Sequence, residues 1–425
     1  MKANELIAAL NGGALDRYSH LYRDTKAEAA RYIDAINAFV SLYGDERDLS
    51  LFSVPGRTEV SGNHTDHNHG RVLAAAIDRD IIAVVAKNEN GIVRLKSEGY
   101  PEDTVDVSAS GDPAAFKDGS SQSLIAGTLD GFTRRGYKVT GFDAYTTTKV
   151  LKGSGISSSA AFEVIIGNIL NHLANEGKIE NEELAKIAQY AENAYFGKPS
   201  GLMDQMACAV GGFVSIDFND PKAPIITPIP FSLSDNGYLL CIVNTGGNHA
   251  DLTPDYAAVP AEMKSVAAYF GKDVLRGVTE KEIVENIPIL RSAVGDRALL
   301  RALHFVRENA RVEKQTEALL SGNIDEFLAG VLASGASSFR FLQNVYTNQN
   351  PSEQGLSLAL CVAEGLLPGK GCAYRVHGGG FAGTIQVFIK EELADGFVSV
   401  MDSLFGEGAS MILSVRPEGA TKIEL

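Results

Sequence analysis

The fold of this chain is decided by the stretch Lys152-Gly153-Ser154-Gly155-Ile156-Ser157-Ser158-Ser159-Ala160-Ala161. β-Branched residues over 144–151 predict a strand before it, and apolar residues at helical spacing over 162–173 predict a helix after it. Glycines in such a turn let the backbone approach a ligand, and a helix N-terminus presents unpaired N–H groups and the positive end of its dipole. The stretch therefore predicts a phosphate site, although a flexible loop before a serine-capped helix fits the same residues.

The hydroxyls of Ser157, Ser158 and Ser159 can add hydrogen bonds to such an anion, or an oxygen ligand for Mg²⁺. The stretch is not a Walker motif, because no Gly-Lys-Ser/Thr follows at the required spacing. It is not the dinucleotide motif GxGxxG either, because Ser158 occupies the place of the third glycine. A phosphate loop of another class is expected.

Composition indicates a globular protein of two domains, because 425 residues exceed one hydrophobic core and 45% of them are hydrophobic. A formal charge of −15 argues against nucleic acid or an anionic membrane as the main partner. The four cysteines show no CxxC pairing, so neither a disulfide framework nor a zinc site is indicated. The N-terminus lacks the apolar run of a signal peptide, and no apolar stretch is long enough to span a bilayer. A cytoplasmic location is expected.

A second polar segment, residues 51–70, allows three interpretations. Asp66 with His64, His67 and His69 supplies ligand types for a metal site, although zinc motifs often place histidines on one helix face and this segment does not look helical. A polar surface turn fits the same composition. The third interpretation is a sugar clamp, in which Asp66 and His64 bond several hydroxyls while Arg57 stabilises a transferring phosphate.

The glycine- and serine-rich stretch resembles the ATP-binding motif of the GHMP small-molecule kinases, Pro-x-Gly-x-Gly-Leu-Ser-Ser-Ser-Ala. Leu151 stands for the proline and Ile156 for the leucine, and neither side chain needs to touch phosphate. The resemblance implies that the nucleotide is held by Gly153, Ser154, Gly155, Ile156, Ser157, Ser158 and Ser159.

The second segment resembles the sugar signature of the galactokinases, Gly-Arg-x-Asn-x-Ile-Gly-Glu-His-x-Asp-Tyr-x-x-Gly. The matching positions are Pro55, Gly56, Arg57, Gly62, His64, Asp66 and Gly70. In that family the arginine lies at the reacting oxygen, and the histidine and acid hold sugar hydroxyls. Asn63 stands where the family has the glutamate that contacts the 6-hydroxyl, Glu59 replaces an asparagine, and His67 replaces the tyrosine. A sugar altered at C6, such as galacturonate, is therefore less disfavoured than in an ordinary family member.

A third motif follows an amphipathic helix predicted over 181–195, which ends with Glu192. Seen alone, Glu192 and Asp204 are more often solvated carboxylates than catalytic ones. The segment Gly201-Leu202-Met203-Asp204-Gln205, however, resembles the galactokinases closely. The resemblance implies that Glu192 binds Mg²⁺ together with Ser158, and that Asp204 lies beside the acceptor hydroxyl as general base or charge stabiliser.

Two further segments resemble the family less specifically. Tyr256 matches a tyrosine that covers the sugar, although a surface-loop tyrosine fits as well, since the usual arginines do not follow it. The glycine cluster over 371–383 resembles the third GHMP motif, with His377 for threonine and Ala382 for glycine, and a flexible loop is its alternative. The implied sugar contacts are Glu59, Asn63, His64, Asp66, Gly201 and Tyr256.

The remaining patterns predict secondary structure. Residues 81–87 and 92–96 are expected to form a hairpin across Asn88-Glu89-Asn90-Gly91, after a separate strand over 72–78. Further strands are predicted over 212–218, 238–244 and 384–389. Helices are predicted over 4–10, 26–43, 112–135, 279–287, 296–309, 315–320 and 324–337.

Together the motifs imply the two-domain α+β fold of the GHMP kinases. The N-terminal domain, residues 1–225, would be a mixed-sheet domain like domain 2 of ribosomal protein S5, and the C-terminal domain, residues 226–425, would be ferredoxin-like. The implied activity is transfer of the ATP γ-phosphate to the anomeric C1 hydroxyl of galactose, with ATP and Mg²⁺. The expected partners are a hexose and MgATP, with no nucleic acid and no membrane, in a monomer or weak dimer. A kinase for galacturonate or N-acetylgalactosamine and a non-catalytic galactose and ATP sensor are the alternatives.

Overall fold

The computed structural model describes residues 1–117, 119–150, 155–198, 200–247 and 252–425. Its helices are α1 (Ala3–Asn11), α2 (Thr25–Tyr43), α3 (Ser121–Arg134), α4 (Ser158–Ala174), α5 (Asn181–Ala194), α6 (Met203–Val210), α7 (Thr253–Tyr269), α8 (Glu280–Glu285), α9 (Ile287–Val294), α10 (Asp296–Leu320), α11 (Ile324–Ser337), α12 (Gly355–Leu366) and α13 (Glu391–Phe405). Its strands are β1 (Ser50–Ser61), β2 (Arg71–Lys87), β3 (Ile92–Ser97), β4 (Glu102–Asp106), β5 (Phe142–Thr148), β6 (Phe213–Asp217), β7 (Ile225–Ile229), β8 (Tyr238–Asn244), β9 (Ala373–Val376), β10 (Thr384–Lys390), β11 (Ser410–Leu413) and β12 (Thr421–Ile423).

The chain forms two compact units. Unit 1 comprises Met1–Arg57, Ala76–Gly212 and Arg416–Leu425, and unit 2 comprises Thr58–Ala75 and Phe213–Val415. The division into folding domains at residue 225 stays a prediction. The α+β class that the sequence implies is confirmed.

Unit 1 is built on a mixed sheet in the order β12-β1-β2-β5-β3-β4. α4 carries apolar residues on every face, and Val164, Ile165 and Ile166, which point in three different directions around the helix, are fully buried. A helix that is hydrophobic on every side has to be buried. The glycine- and serine-rich stretch therefore opens a helix that is fixed inside the core, as a ligand site requires.

The predicted hairpin between β2 and β3 is wrong. β5 lies between them, antiparallel to β2 and parallel to β3. The turn residues over 88–91 do mark where the chain reverses, but turn chemistry does not specify which strand fills the gap. The runs 72–78 and 81–87, predicted as separate strands, form the single strand β2.

Two helix boundaries also differ from the predictions. The helix expected over 112–135 begins only at Ser121, because the side chain of Ser120 accepts the N–H of Ser123 and caps it there. The helices expected over 296–309 and 315–320 form one helix, α10. Its buried residues recur past position 310, at Val312, Gln315 and Leu319, so its core face does not break.

Unit 2 contains a four-stranded antiparallel sheet in the order β11-β8-β10-β9. Numbered from β8, this order is 4-1-3-2, and α12 and α13 lie between its strands in sequence, which is the ferredoxin-like arrangement that the resemblance implies. Apolar residues of both helices, including Leu356 and Phe397, pack against this sheet in one buried cluster. No helix in the described ranges is long and apolar enough to cross a membrane.

Candidate active site

The described part of the predicted phosphate loop, Gly155 to Ser157, passes directly into α4. Gly153 and Ser154 lie outside the described residues. Gly155 is exposed with φ +75°, Ile156 is buried, and Ser157 has left-handed backbone angles at the N-cap of α4. The Ser157 hydroxyl donates to Asp204 and, within the described residues, does not cap the helix. The first N–H groups of α4 are therefore left for an anion.

Strand β1 brings Arg57 against this loop. The Arg57 N–H donates to the Ile156 carbonyl at 3.1 Å, and Arg57 Nη1 donates to the Gly155 carbonyl at 2.7 Å. A Cβ on Gly56 would lie 2.6 Å from the Ile156 oxygen, closer than any side chain can pack. The glycine before the arginine is therefore what allows the strand to approach the loop.

Arg57 and Asp204 form a bidentate ion pair. Arg57 Nε donates to Asp204 Oδ1 at 2.7 Å, and Nη2 donates to Oδ2 at 2.9 Å. The side chains of Arg57 and Asp204 are 11% and 28% exposed, so the pair is partly shielded but remains open to a ligand. Two parallel bonds fix the orientation of both groups as well as their distance.

The pair sets the charge state of Asp204. Burial alone would raise the pKa of this carboxyl, but the Arg57 charge, its hydrogen bonds and the Ser157 hydroxyl together hold the pKa below its ordinary value. Asp204 also lies in the first turn of α6, where the helix dipole favours an anion. Asp204 is therefore an anion at neutral pH, able to accept a hydrogen bond from a substrate hydroxyl.

Glu192 is the second carboxylate near the loop, and it is 1% exposed. Its Oε1 accepts from Lys198 Nζ at 2.7 Å and from Ser159 Oγ at 3.4 Å. Its Oε2 accepts from Ser200 Oγ and from Gln205 Nε2, the latter at 2.7 Å. Within the described residues, the loop serine that bonds Glu192 is Ser159, one residue after the predicted Ser158.

Glu163 is a buried acid that the sequence reasoning missed. It lies on α4, is fully buried, and accepts from Gln205 Nε2 at 3.1 Å. Burial, with the nearby Glu192 charge, raises the pKa of Glu163 well above its ordinary value. The signal was present in the sequence, since a single acid inside the apolar run of α4 is unusual. Gln205 thus joins two buried carboxyl groups.

In unit 2, Asn63 is enclosed by protein. Its Nδ2 donates to Glu59 Oε1 and to the Gly378 carbonyl, both at 2.8 Å. Its Oδ1 accepts from Asn344 Nδ2 at 2.7 Å and from Ser338 Oγ at 3.3 Å. Asn63 is fully buried and every donor and acceptor of its amide is engaged. Its sugar contact stays a prediction.

Glu59 belongs to the same buried network. Its Oε1 lies 3.4 Å from Nη2 of the fully buried Arg375, which also donates to the Val60 carbonyl at 2.7 Å. The sugar contact of Glu59 likewise stays a prediction.

His64 and Asp66 lie on the loop that follows. Both are half-buried, and His64 donates from Nε2 to the Gly379 carbonyl at 2.9 Å. Thr65 and Asn68 of the same loop are fully buried, which contradicts the surface-turn interpretation. Burial lowers the pKa of His67 to about 4, against the opposing effect of Asp66.

The alternative metal site on this loop finds no support. Within the described residues, no group of three or more His, Cys, Asp or Glu side chains could hold a metal ion. The Thr65 hydroxyl instead bonds backbone carbonyls, and Asn68 Nδ2 donates to His67 Nδ1.

Tyr256 reaches the glycine cluster from α7. Its hydroxyl donates to the Gly380 carbonyl at 2.8 Å, and its ring meets Phe381 edge-on with centroids 5.3 Å apart. His377 lies buried between Thr58 and Thr384, with ring nitrogens 3.1 and 2.9 Å from their hydroxyls. Hydrogen bonds from several side chains therefore fix residues 377–381, which argues against the flexible-loop alternative for this segment. Of motif 244–256, residues 248–251 lie outside the described residues.

Each unit therefore gathers one part of the predicted site. Unit 1 joins Arg57, Asp204, Ser157, Gly155, Ser159 and Glu192 through contacts. Unit 2 joins Asn63, Glu59, His64 and Tyr256 through the glycine cluster or its network. Gly201 is exposed ahead of α6, and Ser158 is half-buried as the first residue of α4.

Comparisons with known proteins agree with these motifs. Residues 123–212 match the family model described as GHMP kinases N terminal domain, and residues 37–87 match the Galactokinase galactose-binding signature. A galactokinase of Streptomyces coelicolor is 32% identical over 370 residues, covering 86% of this chain and 91% of the relative. A galactokinase of Bacillus subtilis is 27% identical, covering 87% and 92%.

Solved structures show the same fold. The Lactococcus lactis galactokinase complexed with galactose superposes with a TM-score of 0.74 at 24% identity, covering 91% of this chain and 98% of that one. The Methanococcus jannaschii mevalonate kinase superposes with a TM-score of 0.60 at 13% identity, covering 86% and 98%. Sequence identity over nearly the whole length, together with both family models, shows that the chain belongs to the galactokinase family.

Proposed function

We propose that this protein transfers the γ-phosphate of ATP to the anomeric C1 hydroxyl of galactose, with Asp204 and Arg57 acting at the reacting oxygen. As a member of the galactokinase family, the chain is an ATP-dependent sugar kinase. The observation that supports these two roles is the bidentate Arg57–Asp204 pair, whose arginine also bonds the Gly155 carbonyl of the phosphate loop.

Phosphoryl transfer asks little covalent chemistry of a protein; it requires alignment of two oxygens and neutralisation of charge. In the proposed mechanism the N–H groups at the start of α4 bind the triphosphate. Arg57 stabilises the charge on the transferring group. Asp204, held as an anion, orients the C1 hydroxyl and takes its proton as the new O–P bond forms and the bond to ADP breaks.

The donor set beside the loop fits Mg²⁺. This ion prefers hard oxygen ligands and is commonly bound through one or two carboxylates together with substrate phosphates. Glu192 supplies one carboxylate, and the hydroxyls of Ser158 and Ser159 lie in the first turn of α4. We propose that Glu192 and Ser158 hold the ion. When bound, Mg²⁺ would neutralise charge on the phosphate oxygens.

The sugar is assigned to the signature loop of unit 2. Asp66 and His64 would bond sugar hydroxyls, since both are half-buried polar side chains on one short loop. Tyr256 would cover the sugar from α7, and Gly201 would approach it through its backbone. Asn63 and Glu59 would act on the sugar through the loop that they support, because the amide of Asn63 is fully engaged with protein.

A hexose panel tests the activity. ADP release would be measured with galactose, galacturonate, N-acetylgalactosamine and arabinose, and the product would be identified by ³¹P NMR. We expect galactose to be preferred and to give a 1-phosphate that Asp204→Asn forms far more slowly. The relatives named above are galactokinases, which does not favour the modified-hexose or sensor alternatives. Preference for galacturonate, or galactose and ATP binding without ADP release, would overturn the proposal.

The remaining proposals concern the setting of the enzyme. The substrates ATP and a hexose are its expected partners, and we propose a monomer or weak dimer, to be checked by light scattering. A cytoplasmic location is supported by four free thiols.

A further inference from the structure

Lys198 bonds the carboxylate proposed to hold Mg²⁺. Its Nζ lies 2.7 Å from Glu192 Oε1, and the Glu192 side chain is only 2% exposed. The other described groups that bond this carboxylate, from Ser159, Ser200 and Gln205, are neutral. Since a buried carboxylate is costly without an opposite charge, Lys198 has a clear stabilising role in the nucleotide-free protein.

The Lys198 ammonium can nevertheless move away from Glu192 Oε1. Its side chain is 56% exposed, so the ammonium reaches the buried carboxylate from the solvent side. Its backbone is anchored, because the Lys198 N–H donates to the Glu192 carbonyl at 3.2 Å. Because the four-carbon side chain is flexible and the backbone is fixed, the ammonium group can move without any change in the backbone.

We propose that Lys198 is the resident counter-ion of Glu192 and that the divalent cation arriving with the nucleotide displaces its ammonium from Oε1. This inference rests on the metal role proposed for Glu192. A cation that takes Oε1 competes directly with Lys198 for the same oxygen, and two positive charges at that distance repel each other. Binding of the metal is then an exchange of cations, in which the buried carboxylate is never left uncompensated.

The test measures Mn²⁺ binding to the nucleotide-free protein, following free Mn²⁺ by EPR with no sugar present. Lys198→Met removes the charge and keeps the length of the side chain. We expect it to bind Mn²⁺ about tenfold more tightly than the wild type, the effect of removing one nearby like charge at a partly exposed site. Lys198→Arg keeps the charge and should bind as the wild type does. Glu192→Gln should lose the site.

A matched control is Lys178→Met, which removes a lysine from an exposed ion pair with Glu176. It should leave Mn²⁺ affinity unchanged. A second readout is thermal: added Mn²⁺ should raise the Tm of Lys198→Met more than that of the wild type, because only the variant has an uncompensated carboxylate. If Lys198→Met does not fold, Lys198→Gln takes its place.

Unchanged or weaker Mn²⁺ binding by the charge-removing variant would overturn the inference; weaker binding of MgATP with unchanged Mn²⁺ affinity would instead make Lys198 a direct phosphate ligand. Retention of the Mn²⁺ site by Glu192→Gln would also overturn it, because the inference places the ion on that carboxylate. These outcomes are separate from the proposed function, since galactose phosphorylation by the wild type is measured independently of Mn²⁺ binding.

Discussion

Replacement of Asp204 by asparagine removes the charge of the bidentate pair while nearly preserving its shape. Asp204 offers one acceptor oxygen to each of two Arg57 donors, at 2.7 and 2.9 Å. Asparagine keeps one acceptor and turns an N–H₂ group toward the other donor, so one bond becomes a repulsion. The change therefore removes the proposed proton acceptor and weakens the hold on Arg57 at the same time.

We expect kcat to fall by about a hundredfold or more, the range for a lost acid–base group, which raises the barrier by about 2.7 kcal/mol or more. The free energy of unfolding should fall by about 1–3 kcal/mol, because the pair lies between exposed pairs, worth up to ~1, and buried ones, worth about 3–5. Coupled ADP release at saturating galactose and ATP measures kcat, and urea unfolding measures the free energy of unfolding. The matched control is Asp235→Asn, an exposed aspartate.

The Arg57–Asp204 pair also predicts how the free energy of unfolding depends on pH. Because the pKa of folded Asp204 lies below its ordinary value of 3.8, the ion pair stabilises the fold above that value and is lost as the pH falls through the folded pKa. The stability difference between wild type and Asp204→Asn should therefore be constant near neutrality and shrink in acid below about pH 4. Near-normal turnover by the variant, or a difference that grows in acid, would refute the reasoning.

The other predictions concern unit 2. Asp66→Ala should weaken galactose binding and leave ATP affinity largely intact in isothermal titration; the reverse result would count against the sugar clamp. Gly380→Ala should destabilise the protein by about 2–4 kcal/mol in urea unfolding, since φ is +80° and the new Cβ would lie 2.0 Å from the Asn344 oxygen. Gly396→Ala, in open space on α13, should be neutral or stabilising, and equal losses would contradict this. Burial lowers the pKa of His304 from 6.5 to about 3. Between these pH values the imidazole is protonated in the unfolded chain and neutral in the folded protein, so the free energy of unfolding falls as the pH drops below 6.5. His304→Gln should flatten that slope by about 1.4 kcal/mol per pH unit, and an unchanged slope would exclude His304 as its source.

The sequence predicted those parts of the fold that depend on local chemistry. α2, α4, α5 and α11 have apolar spacing that a helix alone explains, and their bounds agree within a few residues. Strand pairing is non-local, so the position of β5 could not be derived from the turn at 88–91.

The sequence predicts only those residues of the candidate site that lie in a recognisable motif. Arg57 and Asp204 lie in motifs far apart in the chain, and their resemblance to a family was enough to pair them. Glu163 and Lys198 carry no such motif, and their roles follow only from what they contact. The position of Asn63 in the signature predicts a sugar contact. Its burial and its four hydrogen bonds could not be predicted in this way, because they depend on residues more than two hundred positions away as well as on Glu59.

The contact between Glu59 and Asn63 has an evolutionary consequence. The family signature has asparagine and glutamate at these two positions, and this chain has glutamate and asparagine, so the acid and the amide have exchanged places. Restoring the acid at 63 alone would press two carboxylates together where 2.8 Å now separates Asn63 Nδ2 from Glu59 Oε1. Removing the acid at 59 alone would deprive the buried Arg375 guanidinium of its anion. Each replacement alone is thus expected to destabilise the protein, so lineages that differ here are expected to have changed both positions together.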